Sequence, residues 1–102
     1  MQKLTFYQRF EADILSGKKT ITIRNKSDKD YVPGTVVRLF TYEEDRGFGS
    51  ITILSVESIL FSQLTLEHAQ QENMSLVELK KTIQRIYPNT QNLYVISFRL
   101  LH

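Results

Sequence analysis

The segment GKKTITIRN, residues 17–25, sets two lysines, two threonines and an arginine around two isoleucines. A threonine hydroxyl is a poor nucleophile until a base removes its proton. Lysine is the nearest base in the sequence, but an ordinary lysine, with a pKa of about 10.4, stays charged at neutral pH. In a regular strand Ile21 and Ile23 face one way, and Thr20, Thr22 and Arg24 face the other. Lys19 has the wrong parity to join that polar face unless Gly17 and Lys18 form a turn before pairing begins, or a bulge intervenes. Taken alone, the pattern also fits a solvated or edge strand, where threonine and lysine are common.

A second chemical candidate is HAQQENMS, residues 68–75, which carries His68, Glu72 and Asn73 just ahead of Ser75. A carboxylate in this position can simply be a partner for a helix dipole. His68 sits in a polar helical stretch and reads as a surface or supporting residue. Gln8 and Arg9 in YQRF read as polar residues at a helix start. Phe6, Tyr7, Phe10, Phe40, Tyr42, Phe48 and Tyr94 are mostly core candidates, with one or two available to stack on a flat ring.

These residues need elements to hold them. Phe10 and Ile14, with Gly17 following, predict a short helix over 7–16. TITIR, 20–24, alternates strictly and predicts a strand, and residues 25–34 predict a loop closing on Pro33-Gly34. Residues 35–45 and 49–61 are β-rich and meet at Asp45-Arg46-Gly47, a hairpin signal. LTLEHAQQ, 64–71, predicts a short helix. Ser75 and Glu78 form a capping-box pattern, with Leu76, Leu79, Ile83 and Ile86 lining one face of a further helix before Pro88-Asn89. NLYVISFRL, 92–100, is a final strand. The expected order is therefore α, β, β, β, α, α, β. Strands not separated one by one by helices imply an antiparallel or mixed sheet, expected here as a small closed barrel with flanking short helices, an α+β fold.

Composition narrows the function. The 102 residues are expected to form one domain. With no cysteine, the chain has no disulfide, no thiol catalysis and no cysteine-held zinc. His68 and His102 are too few for a multi-histidine metal site, and no acidic run has the spacing of a magnesium site. No metal or other cofactor is expected. MQKLTFYQRF lacks the apolar core of a signal peptide, and no run approaches the roughly 18 apolar residues of a membrane span. A cytoplasmic protein without membrane association is expected. The net charge of +2 permits a phosphate-bearing partner but falls short of a basic nucleic-acid footprint.

FYQRFEADILSGKKTITIRN, HAQQENMSLVELKKTIQRIYP and LYVISF together resemble a family of roughly hundred-residue bacterial ASCH-domain proteins, over essentially the whole chain. Its characterised members are N4-acetylcytidine amidohydrolases. The resemblance implies a PUA-like barrel with peripheral helices, and removal of the acetyl group from N4-acetylcytidine to give cytidine and acetate. It also implies catalysis by the lysine and second threonine of G-[KR]-K-T-I-T-I-R, here Lys19 and Thr22, and by the glutamate of Q-E-N-M-[ST], here Glu72.

On that assignment Lys19 is the proton acceptor, Thr22 the nucleophile and Glu72 the proton donor. Lys19 must then be desolvated or close to another cation, for which Arg24 is the local candidate. An ionised Glu72 beside Lys19 would work against the base, and a protonated one would not. Arg24, Asn73 and Arg9 are the expected substrate-binding residues, with Arg24, Asn73 or a backbone N–H as oxyanion stabiliser. The expected partner is a small nucleoside. The competing reading is a PUA-like RNA-binding module without activity; against it stand the absence of a dense basic run and of interleaved aromatics.

Overall fold

The structure, a computed structural model, describes residues 2–101, so His102 lies outside the described residues. The chain runs β1 (Lys3–Phe6), a 3-10 turn (Gln8–Phe10), α1 (Glu11–Leu15), β2 (Ile21–Arg24), a second 3-10 turn (Lys26–Asp28) and β3 (Val36–Thr41). It continues through β4 (Gly47–Leu60), a third 3-10 turn (Phe61–Gln63), α2 (Leu66–Gln71), α3 (Leu76–Ile86) and β5 (Asn92–Leu101). All seven expected elements are present. β1 was not anticipated: KLTF is only four residues and runs straight into the helical start at Gln8.

The five strands form one mixed sheet in the order β1-β3-β4-β5-β2, with β1 parallel to β3 and the other pairs antiparallel. This is the expected α+β class. The barrel, however, does not close. Hydrogen-bonded pairing ends at β1 on one side and β2 on the other. Both edges are four-residue strands, and side chains occupy the seam between them: Arg24 Nη2 of β2 donates to the Thr5 carbonyl of β1 at 2.6 Å.

Two apolar cores flank the sheet, and β5 contributes to both. Leu93 and Val95 join Ile21 and Ile23 of β2 beneath Ala69, Leu79 and Ile83 of the helices. Ile96 and Phe98 join Leu4, Phe6, Phe10, Ile14 and the β3–β4 residues Val37, Leu39, Ile51 and Ile53. The faces of β2 divide as its alternation requires. Its isoleucines enter the helix-covered core, whereas Thr22, paired in register with Ile96, lies on the opposite side. Met74 packs against both cores.

Local signals explain the helices. Ser75 Oγ accepts from the Glu78 amide at 3.1 Å and donates to Glu78 Oε1 at 3.1 Å, so the reciprocal bond of this cap joins the two side chains. Gly17, at φ +81°, ends the α1 segment in the left-handed region that favours glycine.

Ile96 is fully buried directly opposite Thr22 in the ladder. Ile96→Ala is expected to cost about 2–5 kcal/mol of unfolding free energy, measured by urea denaturation, because it removes transfer energy and leaves a cavity in both senses of the cost.

Candidate active site

Four polar or charged residues are buried among the described residues: Lys19, Thr22, Thr41 and Glu72. Thr41 belongs to the hairpin, where its hydroxyl accepts from the Arg46 amide at 3.2 Å. The other three line one cleft, together with Arg24. They are the residues singled out in the sequence as acceptor, nucleophile and donor.

Backbone bonds place Lys19. It lies two residues ahead of β2, outside regular pairing, so strand parity does not bind it. Its amide donates to the Asp13 carbonyl at 3.0 Å, and the Thr20 amide donates to the Gln71 carbonyl at 2.8 Å. The segment is thus pinned to α1 and to the last residue of α2, with Gly17 making the turn that the sequence required. The amine points inward, 5.0 Å from the centre of the Phe10 ring, with side-chain exposure of only 3%. Thr20, by contrast, is exposed and is absent from the cleft lining.

Glu72 is the C-cap residue of α2, its amide bonded to the His68 and Ala69 carbonyls. Asn73 follows at φ +57° and reverses the chain toward Ser75. This turn carries the Glu72 carboxylate into the cleft, where Oε1 contacts Lys19 Nζ directly. Thr22 projects from the cleft face of β2, and its Oγ1 accepts from Arg24 Nε at 2.8 Å. Arg24 lies over the Phe6 ring at 4.6 Å.

Burial favours the uncharged form of the Lys19 amine. Desolvation draws the Lys19 amine from its ordinary value of 10.5 down to about 7, and the Arg24 guanidinium pushes in the same direction, while the Asp13 carboxylate opposes them. A neutral amine is therefore accessible near neutral pH, which meets the requirement set by the sequence. Apart from Thr5 and Thr82, the other cleft walls are apolar or aromatic: Phe6, Tyr7, Phe10, Ile23, Tyr42, Met74 and, from α3, Leu79, Ile83, Ile86 and Tyr87. Tyr7 and Tyr42 form a tilted ring pair, 5.2 Å between centroids, and Tyr42 is 67% exposed. Burial pushes the Tyr87 phenol up, so it remains a hydrogen-bond donor.

Two expected substrate contacts are not brought to the cleft. Arg9 is exposed and its guanidinium lies over Phe10 at 4.7 Å, and it does not line the cavity. The Asn73 side chain donates to Asp13 Oδ1 at 3.1 Å and joins α1 to the α2–α3 turn. His68 caps the start of α2 through Thr65 and is also outside the cleft. Sequence reasoning did not single out Tyr87, Thr82 or Met74 as cleft residues. The usable signal was the apolar stripe of α3, which continues past its buried members to Ile86 and Tyr87. No three His, Asp or Glu side chains among the described residues are grouped to hold a metal ion. No helix among them is long and apolar enough to cross a membrane.

The family model for the ASCH domain matches residues 2–99. The chain belongs to the ASCH domain family. It is 60% identical over 97 residues to a Vibrio vulnificus (strain YJ016) protein named N(4)-acetylcytidine amidohydrolase, covering 95% of this chain and 93% of that one. A Haemophilus influenzae (strain PittEE) protein of the same name is 50% identical over 99 residues, 97% and 95% of the two chains. The ASCH domain from Lactobacillus crispatus JV V101 superimposes with a TM-score of 0.77 at 15% identity, over 97% of this chain and 79% of that one. This last likeness supports the ASCH fold alone.

Within this ASCH domain the Lys19–Glu72 contact is a buried charge pair, and such pairs are costly to break but often replaceable by apolar residues. Lys19→Met alone is expected to lower stability by about 3–5 kcal/mol through the unpaired carboxyl. Lys19→Met with Glu72→Leu is expected to melt at or above the wild-type temperature, as read by circular dichroism. A double variant as unstable as the single one would contradict this account of the pair.

Proposed function

We propose that this ASCH domain is an N4-acetylcytidine amidohydrolase that works through an acyl-threonine. The observation that carries the reading is the convergence of Lys19, Thr22 and Glu72, all buried, on one cleft. It is supported by the amidohydrolase names of relatives that match nearly the full chain.

The cycle runs from the form of the Lys19–Glu72 pair in which the shared proton has moved from the ammonium to the carboxylate, leaving a neutral amine and a protonated carboxyl in contact. Lys19 takes the Thr22 hydroxyl proton as Oγ1 attacks the acetyl carbonyl, giving a tetrahedral oxyanion and a Lys19 ammonium. The oxyanion collapses, the C–N bond breaks, and Glu72 gives its proton to the departing cytosine N4. Cytidine leaves, and acetate remains as an ester on Thr22. Glu72, now a carboxylate, takes a proton from water, whose hydroxide adds to the ester. The Lys19 ammonium returns its proton to Thr22 as acetic acid departs, to ionise to acetate in solution. Every proton is restored and no other reactant is consumed.

The aromatic lip suits a flat pyrimidine, which stacks favourably on the rings of Tyr7, Tyr42 or Phe10. The apolar walls exclude water from the acyl ester until the amine has left. The substrate is taken to be the free nucleoside.

Purified protein is expected to remove the ultraviolet absorbance of N4-acetylcytidine. Thr22→Ala is expected to cut kcat by at least about 10³-fold without loss of folding, and Thr20→Ala to leave kcat near wild type. Retained turnover by Thr22→Ala would exclude the acyl-threonine. No turnover by the wild type would favour RNA binding, to be read from affinity that falls steeply with salt.

The pH dependence has a definite sign. Lys19 accepts a proton only when uncharged, so kcat/KM is expected to rise about tenfold per pH unit as pH climbs toward 7. A rate independent of pH between 5 and 7 would remove Lys19 from the role of base.

A further inference from the structure

Each nitrogen of the Arg24 guanidinium already has a partner within the protein. Nε donates to Thr22 Oγ1 at 2.8 Å and Nη2 to the Thr5 carbonyl at 2.6 Å, while Nη1 faces Asp28 Oδ2 at 3.4 Å. The Phe6 ring lies against the guanidinium plane, 4.6 Å from Cζ. A group held at three points and stacked on a ring is not free to swing onto a substrate oxygen.

We infer that Arg24 is a positioning residue, not a substrate-binding one: it aims the Thr22 hydroxyl and fixes a positive charge beside Lys19. The inference rests on the reading of Thr22 as nucleophile and Lys19 as base. A threonine oxygen has two lone pairs and one proton. The bond from Arg24 Nε occupies one lone pair. The other is left for the acetyl carbonyl, and the proton leaves by a third direction. As negative charge develops on Oγ1, the bond from the guanidinium becomes charge-assisted on both sides and strengthens. Free rotation of the hydroxyl would lose this alignment.

The charge has a second effect. Lys19 is faced by Glu72 at the end of α2, by Asp13 of α1 and by Arg24 of β2. The first 3-10 turn and β1 offer it only the rings of Phe10 and Phe6. Asp28 lies against Arg24, and Tyr87 neighbours it electrostatically. Arg24 is the cation in this group, so it favours the neutral amine that the base role needs, against the two carboxyl groups.

Arg24→Gln and Arg24→Lys in the full chain test this through kcat and KM as functions of pH, with a 13C NMR titration of the Lys19 side chain that needs no turnover. Melting curves establish folding. For Arg24→Gln, kcat is expected to fall by about 10²–10³-fold with KM little changed, as for loss of one preorganised donor. The acid limb of kcat/KM and the Lys19 titration should both move to higher pH. For Arg24→Lys, the charge remains but the fork is lost, so the Lys19 titration should stay near wild type while kcat still falls. Should Arg24→Gln fail to fold, Arg24→Lys carries the test: a fall in kcat at constant KM supports positioning. A raised KM with unchanged kcat in either folded variant would overturn the inference, as would a Lys19 titration unmoved in Arg24→Gln. Absence of wild-type turnover would instead refute the amidohydrolase reading, and the Lys19 titration would still decide whether Arg24 governs that amine.

Discussion

The desolvated amine of Lys19 is the constraint around which the site is arranged. An ammonium moved from water into an apolar cleft loses hydration that no ring face restores in full. The fold meets that cost in two ways. The charge is partly removed, since burial brings the pKa to about 7, and what remains is compensated by contact with Glu72. Neither works unless the amine points inward, and that depends on a turn at Gly17 and on the amide bonds that Lys19 and Thr20 make to α1 and α2. The position of one nitrogen thus fixes the conformation of three elements.

The incomplete closure of the sheet follows from the same demand. A fully paired barrel would fill the space between β1 and β2 with backbone hydrogen bonds and leave no seam for side chains. Here the two short edge strands stand apart, and Arg24 spans them from β2 to the Thr5 carbonyl. The unpaired edges are not a liability of the kind that invites another strand, because a guanidinium and aromatic rings occupy the gap. The cleft opens where ladder pairing stops and where the two apolar cores meet across Met74.

Much of this was legible in the residues. The alternation of TITIR correctly divided Ile21 and Ile23 from Thr22 and Arg24, because a period of two leaves few options for a strand buried on both faces. The Ser75 cap and the apolar stripe of α3 were equally local and equally clear. The parity conflict at Lys19 was visible too, with its resolution named in advance: a turn before pairing begins. What could not be read was non-local. β1 is four residues whose strand character comes from a parallel partner more than thirty positions away, and no local signal encodes it. Barrel closure depends on the relative placement of two edges, which periodicity does not report. Asn73 was expected among the substrate-binding residues, whereas the structure has its backbone in the left-handed region and its side-chain amide donating to Asp13. Arg9, expected among the substrate-binding residues, lies with its guanidinium over the Phe10 ring, and Phe10 rather than Arg9 lines the cleft.

Bringing the cleft's charged and hydroxyl groups together from three separate elements would ordinarily demand long loops, and this chain has little length for them. It replaces loop length with capping geometry. Glu72 is delivered by the end of a six-residue helix and Lys19 by the turn after a five-residue one, while Thr22 and Arg24 come from a four-residue strand. Each element is too short to be stable alone, since isolated helices below about 12–15 residues are marginal in water. Their positions are therefore set by the two cores and by the polar contacts of the site itself. Lys19–Glu72 and Arg24–Thr5 join elements across the cleft, Arg24–Thr22 links two residues on one face of β2, and Asn73–Asp13 ties α1 to the α2–α3 turn beside it. In a domain of this size the active site and the tertiary scaffold are made of the same interactions. The geometry of the cleft then needs no second layer of supporting structure, because the contacts that aim Lys19, Glu72 and Arg24 also tie the elements together.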